Sequence, residues 1–387
     1  MTIEEFMAEW RSESPYIKVH TSGSTGTPKA LLAEKRRMQA SARITCQFLG
    51  LKAGDTALLC LPLDYIAGKM MVVRALTCGL RLVSVPPSSH PLSMLHAQCF
   101  MLNDQQTTKD KTLSIKHYEL SIKHDALSID FAAMVPLQVW QSLQVDEERQ
   151  RLEAIRHLII GGGPIDDELA SRLRTMPNAV WSTYGMTETL SHIALRRLSG
   201  PEATDWYTPF DGVAVSLSAE GCLVIDAPAV HDGPLVTNDI AEIRSLPSER
   251  QADAPVFANH GVQADHPSPN REGPGVCLFR ILGRKDNVIC SGGLKIQAEE
   301  VERLLQPHLS APFCITRRRH PLLGQTVVLL TEDSDTQRIG EVCRRVLPRH
   351  WQPRLIATVA SLPLTATGKT ARSQAEQIAN SIETKPN

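Results

Sequence analysis

Short apolar runs alternate with amphipathic stretches through roughly the first 240 residues of the chain. Ile17–Thr21, Thr56–Leu63, Arg81–Val85, Phe131–Val135 and His157–Ile160 read as buried strands. Between and around them, Ala33–Leu49, Lys69–Cys78 and Asp166–Met176 carry the spacing of helices, and Ala179–Trp181 reads as one more short strand. This alternation predicts an α/β protein with a mostly parallel sheet and ligand loops at the strand ends. From about residue 210 the texture changes to hairpins, as in GVAVSLSAEGCLVIDAP. Beyond Arg284 a compact α+β tail follows, with a helix over Glu299–Leu305 closed by Pro307; its Val301, Leu304 and Leu305 share one face.

Two stretches break the pattern and read as surface insertions, near 104–128 and 244–275. The first overlaps a run, LSIKHYELSIKHDALSID (113–130), that restarts at Leu113, Leu120 and Leu127; three polar-rich copies are too few for a coiled coil. The second is rich in Pro, Gly and polar residues and reads as a loop.

Composition narrows the class. A chain of 387 residues is long enough for two domains, and 41 basic against 42 acidic residues leave a net charge of −1. That balance gives no field for nucleic acid, and runs such as TALLCLPL are too short for membrane insertion. The opening MTIEEFMAEWRSES lacks a signal peptide's regions, and nine scattered cysteines without a CxxC pair suit reduced thiols. A cytoplasmic protein is the expectation.

Candidate chemistry lies in five segments. HTSGSTGTPKALL gathers hydroxyls, glycine N–H groups and an ammonium, all donors suited to a polyphosphate, although a Ser/Gly/Thr-rich linker has the same composition. Its glycines and lysine do not have the spacing of the common phosphate loop. STYGMTET (182–189), TNDIAEI (237–243), GRKDNVICSGGLKIQAEEVE (283–302) and LPLTATGKTAR (362–372) follow in order. A glycine run, Gly161-Gly162-Gly163-Pro164, precedes the second of these.

Together these segments resemble the adenylate-forming superfamily of acyl- and aryl-CoA ligases, luciferases and adenylation domains. The resemblance implies a large N-terminal α/β domain over 1–285 and a small mobile C-terminal α+β lid over 286–387. It also implies ATP, Mg²⁺ and the co-substrate CoA. Thr21, Ser22, Gly23, Ser24, Thr25, Gly26, Thr27 and Lys29 would close over the ATP phosphates. Gly161, Gly162 and Gly163 would wall the adenine on one side and Tyr184 would stack on it, within the motif that continues through Gly185 and Met186. Thr187 would bond the α-phosphate and Glu188 would hold the metal; one carboxylate suffices where a metal bridges phosphates. Asp239 and Arg284 would hold the ribose, and Asp286 sits at the family's hinge. Lys369 would reach from the lid to neutralise charge as a carboxylate attacks the α-phosphate.

Some positions depart from the pattern. The chain begins about twenty residues before the phosphate segment, so it reads as a form truncated at the N-terminus. Asn238 stands where the family commonly has Gly, a change a positive-φ turn would tolerate. Ala298 replaces a frequent proline, and Ile66 an aromatic or histidine gate.

LPLDYIAGKMMVVRAL and DNVICSGGLKIQAEEVE are most similar to the o-succinylbenzoate–CoA ligases of menaquinone synthesis. That similarity implies two half-reactions, an acyl-adenylate formed with release of pyrophosphate and then thioester formation with release of AMP. Ile66, Ala67, Gly68 and Arg74 would border the acyl pocket, and Gly292, Gly293 and Lys295 would serve the CoA half-reaction. On a helix starting near Gly68, Arg74 shares a face with Met70 and Met71 and could meet the free ring carboxylate, or instead snorkel to the surface or pair with a local acid. Another aromatic or short-chain acid, a carrier-protein acceptor, or an inactive nucleotide-binding homologue remain alternatives. The expected partners are small molecules, with a homodimer left open.

Overall fold

The computed structural model of the chain describes residues 1–20, 30–96, 100–102, 115–117, 128–163, 165–245, 277–364 and 370–382. Its largest sheet has nine strands. At its centre Ala179–Gly185, His157–Ile160, Phe131–Met134, Thr56–Leu59 and Arg81–Ser84 lie side by side and parallel. Two antiparallel strands extend each edge: His192–Arg197 with Thr208–Pro209, and Phe100–Leu102 with Ile115–His117. Every residue of Thr56–Leu59 and Phe131–Met134 is buried, as expected of strands covered on both faces.

One core lies on the side of helices Lys35–Phe48 and Ile66–Cys78 and reaches Phe279; another gathers Leu58, Val83, Met134, Leu158 and Leu173. The hairpin texture after residue 210 is a four-stranded antiparallel sheet: Ala214–Leu217, Cys222–Asp226, Leu235–Ser245 and Cys277–Arg284. The tail has its own sheet, in the order Leu294–Gln297, Val288–Ser291, Gly324–Thr331, Phe313–His320, with Leu355–Thr358 added parallel to Gly324–Thr331. Helix Ala298–Leu305 buries Val301 and Leu305 against this sheet, and Leu304 packs beside them. Arg372 ties the last helix, Arg372–Ser381, to Glu302 through two 2.7 Å bonds.

Several expected boundaries move. Ala33 and Glu34, expected to open the helix, end the strand Ala30–Glu34, which pairs antiparallel with Tyr16–His20; the helix begins at Lys35. The strand expected at Ala179–Trp181 continues to Gly185, so Ser182 to Gly185 of STYGMTET belong to it. The helix expected near Gly68 starts at Ile66, and Gly68 sits inside it where a Cβ would lie 2.3 Å from the Pro62 carbonyl oxygen. Asn238 occupies no positive-φ turn: it lies within strand Leu235–Ser245, and Leu190 is the one non-glycine with positive φ among the described residues. Of the insertion near 104–128, Ile115–His117 forms an edge strand; the rest apart from Ser128, and the second insertion from 246 on, lie outside the described residues.

Candidate active site

Two of the polar motifs, the glycine run from Gly161 and STYGMTET, lie at the carboxyl ends of parallel strands of the large sheet, His157–Ile160 and Ala179–Gly185. Gly161 follows strand His157–Ile160, and a Cβ on it would meet Thr183 Oγ1 at 2.5 Å. Gly162 follows at φ +80°, with Gly163 next. A side chain at the first position would have to displace the Thr183 hydroxyl, which favours glycine there.

Tyr184, near the end of Ala179–Gly185, donates its hydroxyl to Asp239 Oδ2 at 2.7 Å. Burial, and the Asp239 carboxylate beside it, push the phenol well above its ordinary range. Asp239 is paired in register with Arg284 across two strands of the four-stranded sheet. Arg284 Nε lies 4.0 Å from Asp239 Oδ1, and its NH2 lies 3.8 Å from Asp286 Oδ2. These are ion-pair distances without a hydrogen bond, and the buried Nε has no bonded partner. Asp286 lies in the turn Lys285–Asn287, and its carboxylate is also bonded by the Asn238 amide. Four of the expected residues, Tyr184, Asp239, Arg284 and Asp286, therefore form one cluster.

Beyond Gly185 the chain turns through Met186, Thr187 and Glu188. Thr189 Oγ1 ties that turn, 3.0 Å from both the nitrogen and the carbonyl oxygen of Met186. The Thr187 carbonyl accepts from Leu190 N at 2.9 Å, and buried Leu190 is held at φ +64°. A bulky residue in that region is strained, and such strain clusters at ligand-binding turns. Glu188 is exposed. Among the described residues no three His, Cys, Asp or Glu side chains gather to hold a metal. A single open carboxylate fits a Mg²⁺ ion carried largely by phosphates, not one in an all-protein cage.

The turn delivers the chain to Ser191 and His192, which back directly onto Gly185: a Cβ there would lie 2.3 Å from the Ser191 carbonyl oxygen. Arg74 meets them from helix Ile66–Cys78. It is 2% exposed, and its NH2 donates to Ser191 Oγ at 2.7 Å. Its other close contacts are Met71 Sδ at 3.8 Å from NH1 and the Phe131 ring at 6.0 Å from the guanidinium carbon. Its Nε has no partner, and no carboxylate among the described residues pairs with it. Burial lowers Arg74 to about 10, partly offset by the sulfurs of Cys46 and Cys78. Arg74 neither snorkels nor finds a local acid. A buried guanidinium short of acceptors is costly unless something else supplies them.

Other expected residues are placed without joining either group. Ile66 opens its helix half-buried, Ala67 is exposed, and Gly68 is buried. Gly292 and Gly293, at φ +58° and +84°, form the two-residue turn between paired Ser291 and Leu294, and Lys295 is exposed on the strand that follows. This hairpin belongs to the tail sheet. The segment Thr21–Lys29 and Lys369 lie outside the described residues. Sequence reasoning missed Ser191, His192 and Thr45. A Ser-His pair directly before the apolar Ile193-Ala194-Leu195 was a usable signal, as was a threonine among Met38, Ala42 and Cys46 on a helix's apolar face.

A polar cluster at the carboxyl ends of parallel strands, beside a strained turn, defines an α/β protein with the layout of an enzyme that takes its ligand at the sheet edge. Residues 4–227 match the AMP-binding enzyme family, and the chain belongs to it. The 2-succinylbenzoate–CoA ligase of Haemophilus influenzae is 27% identical over 322 residues, which cover 82% of this chain and 59% of that protein. The enzyme of the same name from Enterococcus faecalis is 24% identical over 377 residues, 95% of this chain and 70% of that one. The chain thus spans about three-fifths of the Haemophilus relative's length. Among solved structures, an acyl-CoA synthetase (AMP-forming)/AMP-acid ligase II-like protein from Dyadobacter fermentans is 28% identical with a TM-score of 0.56, covering 96% of this chain and 91% of that one. The o-succinylbenzoate CoA synthetase of Bacillus subtilis, in complex with its acyl-adenylate intermediate, is 19% identical with a TM-score of 0.65 over 92% of this chain and 68% of that one. The fold is therefore that of the adenylate-forming enzymes. Among the described residues no helix is long and apolar enough to cross a membrane.

Proposed function

We propose that the chain is an acid–thiol ligase that activates the succinyl carboxylate of o-succinylbenzoate with ATP and passes the acyl group to CoA, in menaquinone synthesis in the cytoplasm. The observation that carries the reading is Arg74, a buried cation with one strong protein hydrogen bond and no acid among the described residues. A substrate whose ring carboxylate stays free during activation supplies the missing acceptor. The relatives' names and the family's motifs support the same substrate.

In this reading the hydroxyls of 21–27 and Lys29 hold the phosphates, Gly161–Gly163 and Tyr184 flank the adenine, and Asp239 accepts from the ribose hydroxyls. Arg284, with donors not committed to either aspartate, reinforces the sugar. Thr187 orients the α-phosphate. Lys369 faces the charge that develops as a carboxylate oxygen bonds to the α-phosphorus and the bond to pyrophosphate breaks. When bound, Mg²⁺ neutralises phosphate charge, and Glu188 is the residue to hold it. Residues 286–387 are the lid and turn about Asp286, bringing Gly292, Gly293 and Lys295 to the CoA path for the second half-reaction. There the CoA sulfur bonds to the acyl carbon and AMP leaves. Ile66, Ala67 and Gly68 border the acyl pocket.

Purified protein incubated with ATP, Mg²⁺, CoA and a panel of carboxylic acids tests the proposal, read as pyrophosphate released and CoA thioester formed. The expected outcome is both products, with o-succinylbenzoate preferred. Release of no pyrophosphate with any acid would overturn it.

A further inference from the structure

Arg74 does not rest on Ser191 alone. Ser191 Oγ lies 3.2 Å from His192 Nδ1, and His192 Nε2 lies 3.2 Å from Thr45 Oγ1, which is 3.1 Å from the Ser41 carbonyl oxygen. Thr45 is fully buried and His192 is 8% exposed, so water does not compete at the Ser41–Thr45–His192 end of this line. The far end fixes its direction. A carbonyl only accepts, so the Thr45 hydroxyl donates to Ser41, the back-bond a helical threonine commonly makes. Its oxygen must then accept from His192, which places the imidazole proton on Nε2 and leaves Nδ1 bare. Nδ1 accepts a hydrogen bond from the Ser191 hydroxyl, and the Ser191 oxygen turns its lone pairs to Arg74.

The remaining neighbours of the guanidinium direct it poorly. A thioether sulfur at 3.8 Å and an aromatic face at 6.0 Å are soft contacts without a sharp angular preference. What holds Ser191 therefore aims Arg74. Burial foremost, and the Arg74 charge after it, keep His192 neutral, as this order of protons requires.

We propose that Thr45 and His192 are positioning residues: through Ser191 they fix the aim of the Arg74 guanidinium and so set the preference for acids bearing a second, unreacting carboxylate. This rests on the reading of Arg74 given above.

The test compares wild type with Thr45→Val, which keeps the side chain's shape and removes its acceptor, and Thr45→Ser, which keeps the hydroxyl. The readouts are steady-state constants for o-succinylbenzoate and for its analogue without the ring carboxylate, together with ¹⁵N shifts of the His192 ring. Thr45→Val should lower the preference for the diacid about tenfold, through KM rather than kcat, and Thr45→Ser should restore it. Wild-type His192 should be the neutral Nε2–H tautomer. A wild type that prefers the diacid together with an unchanged preference in Thr45→Val would overturn the positioning role and leave the Arg74 reading standing. An Nδ1–H tautomer in wild type, which needs no variant to fold, would overturn the proton order. A wild type indifferent to the ring carboxylate would overturn both readings.

Discussion

The Tyr184–Asp239–Arg284 cluster and the Arg74–Ser191–His192–Thr45 chain flank the same turn, and they settle their charges in opposite ways. At the first, the guanidinium lies between two carboxylates and is 36% exposed, so its charge is balanced by protein and water alike. At the second, the guanidinium is sealed in and, among the described residues, bonded by neutral groups only. A balanced, half-open cluster suits the nucleotide, a partner common to the whole family. An unbalanced, closed one suits a ligand that must bring a particular charge. In the proposed function, generic affinity and selective recognition are thus separated on the two sides of Gly185.

The largest expected effect tests whether either side does the chemistry. Lys369→Ala should slow adenylation by about 10²–10³-fold while leaving thioester formation from supplied acyl-adenylate much less affected. Equal losses in both half-reactions would mean that the division of labour is wrong. Next in size, Asp239→Ala removes the acceptor of Tyr184 and half of the balance around Arg284. KM for ATP should rise roughly ten- to a hundredfold, since a hydrogen bond to a charged group is worth about 1.5–3 kcal/mol. The ratio between acids with and without a second carboxylate should hold; a change in that ratio would show that the two sides are coupled.

The smallest effect concerns acid stability. Burial, then the charges of Arg156 and Arg197, lower His157 to about 4, and His192 is also held well below 6.5. Both are bases whose folded values are depressed, so the unfolded chain binds more protons below about pH 6.5. Their contribution is full above about 6.5 and is lost as pH falls, for His157 chiefly between 6.5 and about 4. Urea denaturation midpoints measured across that window should fall, and His157→Gln should flatten the fall in part while His192 sustains the rest. An unaltered slope in that variant would remove His157 from the account.

Much of this architecture could be read from local pattern. Strands Thr56–Leu59, Phe131–Met134 and His157–Ile160 are almost continuous apolar runs, and the hairpin Ala214–Asp226 alternates around a glycine turn. Ala33 and Glu34 misled because AEKRRMQ has the spacing of an amphipathic helix; their strand state comes from the pairing of Ala30–Glu34 with Tyr16–His20. The same limit applies at the site. Tyr184, Asp239 and Arg284 stand inside contiguous motifs, and their meeting follows from strand pairing. Thr45 touches His192 across 147 residues of sequence, so a threonine on the helix's apolar face signals that it needs a partner but not which one. Arg74 lay between: an arginine in the run Met70–Leu76 signals a need for a partner, yet only packing shows that no acid among the described residues meets it.

The central claim, that buried Arg74 reads a free carboxylate on the acid being activated, is tested most directly by one two-by-two comparison. Wild type and Arg74→Ala are each assayed for kcat/KM with o-succinylbenzoate and with the analogue lacking the ring carboxylate. A charge-assisted bond of about 1.5–3 kcal/mol predicts that Arg74→Ala lowers the diacid value roughly ten- to a hundredfold. The analogue, already poor with wild type, should change little. Equal losses for the two acids would contradict the claim and make Arg74 a structural residue of the core.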